Sequence, residues 1–387
     1  MFLDRLRTVR TPVPIPLILG HATVDTFMNL LSGLLPVLTV VHGLSYLLAG
    51  TLAMVSNVAS SVVQPVVGRW FDRTQATWIL EAGIVVNCVG MSLVGISPNY
   101  LILMALVAAT GFGHAAFHPP AYSAVIKSST SAKGGVTGVF LAAGNVGWFL
   151  GPILAGLLVS AVGLWSTILL LPFGLIIAVL VFKELIIPKE AIASTKKERL
   201  PTNRRHLGLL ATIASFRSVA TQSAIAFLPI YLMAKGHTLF VATGLTSLWL
   251  ALAVLGQVCG GYLSDRVGRR LVIATSLLIG SALFYGFLIT SSLLSIILLV
   301  LSGAFLYASW SVIVVMSSEV APGNVGAVAG LMLGFTIGIG GVAAAIFGAA
   351  ADVLGLATAF HLAIAFPVAG GLLAFFLPKQ IGRSTVA

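Results

Sequence analysis

Long apolar stretches separated by short loops are the feature that most constrains this chain. Each stretch is about 20 residues long, the length at which a helix crosses the ~30 Å hydrocarbon core of a bilayer. Only 8% of the residues are charged, against about 25% in soluble domains. Because lipid offers the backbone no hydrogen-bond partner, each stretch is predicted to be a helix. The predicted spans cover residues 15–41, 46–67, 77–95, 100–122, 134–160, 163–182, 208–233, 241–259, 271–291, 293–317, 326–349 and 354–377.

The basic residues indicate how the chain is oriented in the membrane. The formal net charge is +11, from 21 Lys and Arg against 10 Asp and Glu. Nearly all of the basic residues lie in loops or terminal segments on one predicted face; Lys235 lies in an opposite loop and Arg217 within a span. This asymmetry places both termini on the cytoplasmic side. The charge therefore predicts an orientation in the cytoplasmic (inner) membrane of a bacterium or archaeon, and no nucleic-acid partner.

A repeated motif divides the chain into two halves. The string Gly68-Arg-Trp-Phe-Asp72-Arg73 follows the second span, and Gly261-Tyr-Leu-Ser-Asp265-Arg266 follows the eighth. Each copy opens a short charged loop, which indicates two homologous sets of six helices. The predicted fold class is an all-α membrane protein with twelve transmembrane helices in two pseudo-symmetric six-helix bundles. The predicted divisions are an N-terminal bundle over 1–182, a cytoplasmic linker over 183–207 and a C-terminal bundle over 208–387.

The six-plus-six arrangement with this repeated loop resembles the major facilitator superfamily along the whole chain. The second copy continues to Gly268 and Arg269 and fits the family's loop pattern throughout, whereas the first copy stops after Arg73. The resemblance implies that the loop is a conformational latch: its glycine allows close helix contact, and its aspartate faces a helix N-terminus or arginines. The expected latch residues are Gly68, Asp72, Arg73, Gly261, Asp265, Arg266, Gly268 and Arg269.

The fifth span carries a glycine pattern that is similar to the fifth-helix motif of drug/proton antiporters. Its residues are Gly138, Gly147, Gly151, Pro152 and Gly156. Glycine allows helices to approach closely in a membrane, and proline kinks a helix. The resemblance implies export by exchange, while tight packing alone is the alternative interpretation of the same residues.

A more specific resemblance is to the fosmidomycin-resistance transporters within this superfamily. It rests on Gly20-His21 with Asp25 in the first span, on the string 60–65 at the end of the second, and on the string 111–119 in the fourth. The last string contains His114 and His118. Pro120 follows it, where an acidic residue is expected in that family.

Ionisable residues inside the spans are the candidates for function, because charge in hydrocarbon is costly. Asp25 lies about 15 Å into the first span. His21 and Asp25 are four residues apart, as are His114 and His118, so each pair shares a helix face. We expect these four groups and Arg217 of the seventh span to converge near the midplane, where transporter sites lie.

These groups suggest a division of roles. Asp25 is predicted to be the main proton carrier, with His114 and His118 as proton-coupling partners, because imidazole titrates near neutrality. Arg217 is predicted to hold an anionic group, or to pair with Asp25 when the site is empty. The predicted substrate-binding residues are His21, His114, Asn145 and Arg217.

We therefore predict a proton-coupled antiporter that exports a small organic drug or metabolite, anionic or zwitterionic, by alternating access. An uptake symporter or exchanger for an organic anion stays open. A divalent-metal transporter also stays open because the paired faces have ligand spacing, although Arg217 opposes a cationic cargo. The sequence has no nucleophile elbow, metalloprotease helix or phosphate-binding loop, so no enzyme is expected. No cofactor or resident metal is expected, and the expected partners are a small-molecule substrate, protons and the lipid bilayer around a monomer.

Overall fold

The computed structural model describes residues 15–128, 133–184, 203–321, 328 and 331–378. Within this part the chain is helical without strands, and it has twelve helices long and apolar enough to cross a membrane. The predicted fold class is confirmed. The helices are α1 Ile15–Val41, α2 Tyr46–Thr74, α3 Trp78–Leu93, α4 Tyr100–Ser128, α5 Lys133–Val162, α6 Leu171–Glu184, α7 Arg204–Ala234, α8 Leu239–Val267, α9 Arg269–Ile289, α10 Ser292–Val320, α11 Thr336–Leu354 and α12 Leu356–Leu373. The 3₁₀ segments Val94–Ile96 and Leu164–Leu170 bring α3 and α6 to the length of a span.

Two helices extend well beyond the spans predicted from hydropathy. α2 continues to Thr74 and α8 continues to Val267, so the repeated motif forms the last helical turns and not a loop. A helix satisfies its own backbone hydrogen bonds, and it can therefore continue past the apolar stretch while its charged side chains are hydrated. α8 ends where Gly268 adopts φ of 96°, a conformation open to glycine and strained for other residues.

The described residues cluster by their contacts into two compact units. The first contains the residues up to His42 and those from Ala59 to Glu184; the second contains Gly43–Val58 and the residues from Asn203 onward. α2 is therefore divided, with its first turns in the second unit. Residues 185–202 of the linker predicted over 183–207 lie outside the described residues, and the predicted division of domains at that linker stays a prediction.

In the first unit, α1 lies at the centre and packs along α5, with further contacts to α3, α4 and α6. Its buried positions include the polar residues His21, Asp25 and Asn29. A helix that buries polar groups needs partners for them. The neighbouring helices α4 and α5 supply partners for His21 and Asp25, whereas Asn29 donates to the backbone carbonyl of Asp25 within α1. This packing positions the first cluster of functional side chains.

In the second unit, α7 has the corresponding central position and packs against α8, α10, α11 and α12. Its buried face includes Arg217. The start of α2 belongs to this unit, where Asp352 of α11 accepts hydrogen bonds from the backbone N–H groups of Tyr46 at 2.7 Å and Leu47 at 2.9 Å. These N–H groups have no partner within their own helix, so Asp352 acts as its N-terminal cap.

Candidate functional site

Asp25 is the centre of a buried cluster in the first unit. Asp25 is 8% exposed, and three imidazole rings lie close to its carboxylate. The Nε2 atoms of His114 and His118 lie 3.0 and 3.1 Å from Oδ1, and Nε2 of His21 lies 3.3 Å from Oδ2. The structure therefore brings together the four ionisable groups of α1 and α4 on which the sequence analysis depended.

Helical spacing explains how two helices supply the whole cluster. His21 precedes Asp25 by one turn on α1, and His114 precedes His118 by one turn on α4, so each pair projects from one face. The two α4 rings lie close together, with their centroids 3.9 Å apart. Both can donate from Nε2 to the same carboxylate oxygen, which leaves Oδ2 to His21.

Glycines of α5 allow this helix to lie directly against the cluster. A Cβ atom at Gly144 would lie 2.6 Å from Oδ2 of Asp25, and one at Gly147 would lie 3.0 Å from Cβ of Asp25. One turn further on, a Cβ at Gly151 would lie 2.8 Å from Cβ of Asn29. All three distances are shorter than real Cβ contacts, so only glycine permits this approach of α5 to α1.

The glycine motif predicted from the sequence thus contributes unequally to this contact. Gly147 and Gly151 lie against α1, and the backbone of Pro152 lies against Gly33 of α1. Gly156 is buried, whereas a Cβ at Gly138 would meet open space. Gly144, which the motif does not include, lies closest to the carboxylate.

A second layer of hydrogen bonds orients the imidazoles. Nδ1 of His114 lies 2.8 Å from the hydroxyl of Ser60, and Gln64 donates to the same hydroxyl at 3.1 Å. Nδ1 of His21 lies 2.7 Å from the backbone carbonyl oxygen of Phe140 on α5. The His21 ring also stacks on the Phe140 ring at 4.1 Å between centroids.

The contacts of His21 leave its second ring nitrogen facing a carboxylate. A carbonyl oxygen only accepts hydrogen bonds, so Nδ1 of His21 carries a hydrogen and donates it to Phe140. Nε2 then lies 3.3 Å from Oδ2 of Asp25, within ion-pairing distance, and it has no hydrogen in a neutral imidazole. A proton held by this pair would make it a histidinium beside a carboxylate, or a neutral imidazole beside a carboxylic acid.

The same cluster has the atom types of a metal site. One ligand atom each from His21, Asp25 and His118 lie within 4.8 Å of one another, and imidazole and carboxylate suit first-row divalent cations. In the structure the two imidazole nitrogens lie within ion-pairing distance of the Asp25 carboxylate.

Arg217 of α7 is the buried charge of the second unit. Its residue is 4% exposed, and its Cζ lies 4.9 Å from the ring centroid of Tyr307 and 4.4 Å from that of Trp310. Both rings belong to α10, where they are three positions apart and share one face. The sequence analysis identified Arg217 but not these two aromatic residues.

The latch residues are engaged differently in the two repeats. In the second unit, Arg269 donates to Asp265 at 2.6 Å and to Glu319 of α10 at 3.1 Å. Arg266 is exposed beside them. In the first repeat, Asp72 and Arg73 are exposed, and no ion pair joins either to another described residue. Gly68 lies near Pro119 of α4, and Gly261 lies near Ser311 of α10.

Several contacts of the cluster involve residues to which sequence reasoning gave no role in the site, although the string 60–65 contributed to the family resemblance. Ser60 and Gln64 form a polar pair one turn apart within an apolar run, and this pattern could have indicated a role in the site. The Phe140 carbonyl is a backbone atom and leaves no mark in the sequence. Asn145, predicted to bind substrate, is half-buried on α5 and takes no part in the hydrogen bonds seen in the described part of the cluster.

Comparison with known proteins agrees with the helices and motifs described above. The family model described as Major Facilitator Superfamily matches residues 17–255 and 210–385. The chain is 28% identical to the uncharacterized MFS-type transporter YfnC of Bacillus subtilis over 97% of this chain and 96% of that protein. It is also 28% identical to the Fosmidomycin resistance protein of Escherichia coli, over 94% of this chain and 91% of that protein.

Solved structures share the fold at lower sequence identity. A bacterial homologue of the human lysosomal transporter Spinster has a TM-score of 0.85 at 16% identity, over 95% of this chain and 97% of that chain. A mutant of the nucleoside transporter NupG has a TM-score of 0.77 at 14% identity, over 95% of this chain and 100% of that chain. The predicted resemblance is confirmed: the chain belongs to the Major Facilitator Superfamily, and it is an integral membrane transporter and not an enzyme.

Proposed function

We propose that this transporter exports a small organic compound, anionic or zwitterionic, in exchange for protons by alternating access. It would act as a monomer in the cytoplasmic membrane, with both termini on the cytoplasmic side. The observation that carries the proposal is the buried Asp25 carboxylate with three imidazole nitrogens within 3.3 Å of its oxygens. In the proposal this cluster carries the exchanged proton, because carboxylate and imidazole can each accept one, and the family resemblance of the α5 motif to drug/proton antiporters supports exchange.

Loss of that proton would change the contact between α1 and α5. A neutral His21 has one N–H, so it can donate either to Asp25 or to the Phe140 carbonyl, but not to both. Deprotonation therefore breaks one of these two contacts. Because Gly144 and Gly147 hold α5 against the same carboxylate, the protonation state of the cluster would determine how these helices pack. This link gives the proton a means of favouring one conformation.

The name of one relative supports the direction of transport and the class of substrate. Resistance to fosmidomycin is consistent with export of a drug, so fosmidomycin is the first compound to test. Uptake of an organic anion by symport is the alternative, because the same cluster could carry a proton in the same direction as substrate.

The test uses purified protein in liposomes that contain a pH-sensitive dye. In acid-loaded vesicles, external fosmidomycin should cause protons to leave, and Asp25→Asn should abolish that flux. His361→Gln is the matched control, because His361 is also an intramembrane histidine but belongs to α12 and is not part of the cluster. Its flux should equal that of the unmodified protein.

The direction of proton movement separates the alternatives. Protons that enter with external fosmidomycin would show a symporter. Substrate flux without proton movement would contradict the assignment of Asp25 as proton carrier. Equal flux in Asp25→Asn and in the unmodified protein would contradict it as well.

A further inference from the structure

The guanidinium of Arg217 is buried without a counterion among the described residues of its unit. Its Nε and Nη1 atoms have no hydrogen-bond partner there, although the residue is only 4% exposed. Nε carries one hydrogen and Nη1 carries two, so several strong donors are buried without an acceptor among the described residues. Such groups are rare in folded proteins and call for an explanation.

The carboxylates of the second unit do not supply the missing charge. Asp265 and Glu319 both pair with Arg269, and Asp352 caps the start of α2. These are all of the acidic residues among the described residues of that unit. The positive charge of Arg217 is thus left without a neutralising side chain within the described part of its unit.

The aromatic neighbours do not remove this deficit. A cation–π contact stabilises a charge by much less than the burial of one unpaired ion costs. The aromatic contacts are made through the carbon centre of the guanidinium, and they leave Nε and Nη1 available. The Tyr307 hydroxyl also has polar interactions with Arg217 and Thr221. These interactions hold the guanidinium of Arg217 beside α10.

We propose that Arg217, held by Tyr307 and Trp310, is the binding site for the oxyanion group of the exported compound. Carboxylate, phosphonate and phosphate groups all accept charge-assisted hydrogen bonds from arginine. The ring of Trp310, which is 9% exposed, would contact the adjoining apolar part of the compound. This inference rests on the proposed function for the identity of the ligand as cargo, and it assigns Tyr307 and Trp310 to the substrate site.

Binding of phenylphosphonate to the purified protein tests the site directly. The protein is placed in nanodiscs of phosphatidylcholine at a fixed pH, and the dissociation constant is measured by titration calorimetry and by tryptophan fluorescence. Arg217→Gln should raise the dissociation constant at least about tenfold, because charge-assisted hydrogen bonds are lost. Arg217→Lys should weaken binding by a smaller factor, since it retains the charge but not the planar donor group. The uncharged dimethyl ester of phenylphosphonate should not bind.

Two further variants test whether phenylphosphonate binds at Arg217 and Trp310 specifically. Trp310→Leu should weaken binding and should abolish the fluorescence change. Lys235→Gln is the matched control, because Lys235 is also a cation near an aromatic ring, 5.5 Å from the centroid of Tyr231, but it is exposed in a loop. Its affinity should be unchanged. Equal binding by Arg217→Gln and the unmodified protein would overturn the proposal.

A second measurement covers the possibility that a variant folds poorly. Phenylphosphonate should raise the Tm of the unmodified protein, because a ligand that binds only the folded state stabilises it. Arg217→Gln should have an equal or higher Tm without ligand, since it no longer buries an unpaired charge, and should gain nothing from the ligand. No ligand-induced rise in the unmodified protein would overturn the site.

The phosphate of a lipid headgroup is the other oxyanion that could occupy the Arg217 site. If phosphatidylglycerol in the nanodiscs competes with phenylphosphonate, the site holds a lipid headgroup and the assignment to cargo is overturned. Failure of proton coupling is distinguishable, because binding at fixed pH does not require proton flux. Proton-independent transport with intact anion binding would contradict the proposed function alone.

Discussion

At the scale of single residues, the proton proposed for the His21–Asp25 pair rests on the number of donors available to His21. The Phe140 carbonyl takes the Nδ1 hydrogen of His21, and Asp25 presents a second acceptor 3.3 Å from Nε2. Neutral imidazole has only one hydrogen for these two acceptors. We propose that His21 shares a proton with Asp25; its predicted role in substrate binding stays a prediction.

Gly144 is the residue whose substitution tests the packing around this proton most directly. In Gly144→Ala the new methyl group would overlap the His21 ring and the Asp25 carboxylate, and overpacking of this kind costs about 1–3 kcal/mol. We expect a lower Tm and loss of proton-coupled transport in liposomes. Gly138→Ala, on the same helix but in open space, is the control and should retain both. Normal transport by Gly144→Ala would contradict the packing described here.

At the scale of helices, the structure shows that the repeated motif is helical and does not form the predicted loop. Its residues are the final turns of α2 and α8, and in the second unit Arg269 joins the end of α8 to α10 through Glu319. Exposed ion pairs contribute little to stability. We therefore expect this contact to influence the rate of conformational change more than the stability of the fold.

Gly268 is the position where the end of α8 depends on backbone conformation. Its φ of 96° and ψ of 145° lie in a region that costs other residues about 1–3 kcal/mol. Gly268→Ala should lower the Tm accordingly. Gly208→Ala, within α7 and with open space around the new methyl group, should leave the Tm unchanged or raise it because alanine favours helix. Thermal unfolding in one detergent compares the two, and equal Tm values would contradict the strain at Gly268.

At the scale of the whole molecule, hydropathy was enough to predict twelve helices, because a chain in lipid has few alternatives to the helix. Hydropathy placed the end of α2 at residue 67, however, whereas the helix continues to Thr74. The reason is that charged residues lower the hydropathy without ending the helix. The repeated motif was enough to indicate the family, which the comparisons confirm.

The site was only partly visible in the sequence. The spacing of His21 with Asp25, and of His114 with His118, revealed two polar faces, because helical periodicity determines which residues share a face. The contribution of Phe140 could not be predicted, since a backbone carbonyl has no sequence signal. Tyr307 and Trp310 were also missed, because aromatic residues in membrane helices usually serve packing and only the structure shows which of them contact Arg217.

The most direct test of the central claim is the number of protons released when substrate binds to the purified protein. Fosmidomycin is added to the protein in weakly buffered detergent solution near neutral pH, and a pH indicator records the release. In the proposal the His21–Asp25 pair holds one proton beyond its neutral-imidazole and carboxylate forms, so we predict release of about one proton per bound substrate. The release should be absent in Asp25→Asn and in His21→Gln. Binding without proton release, or equal release by both variants, would contradict proton exchange at this pair.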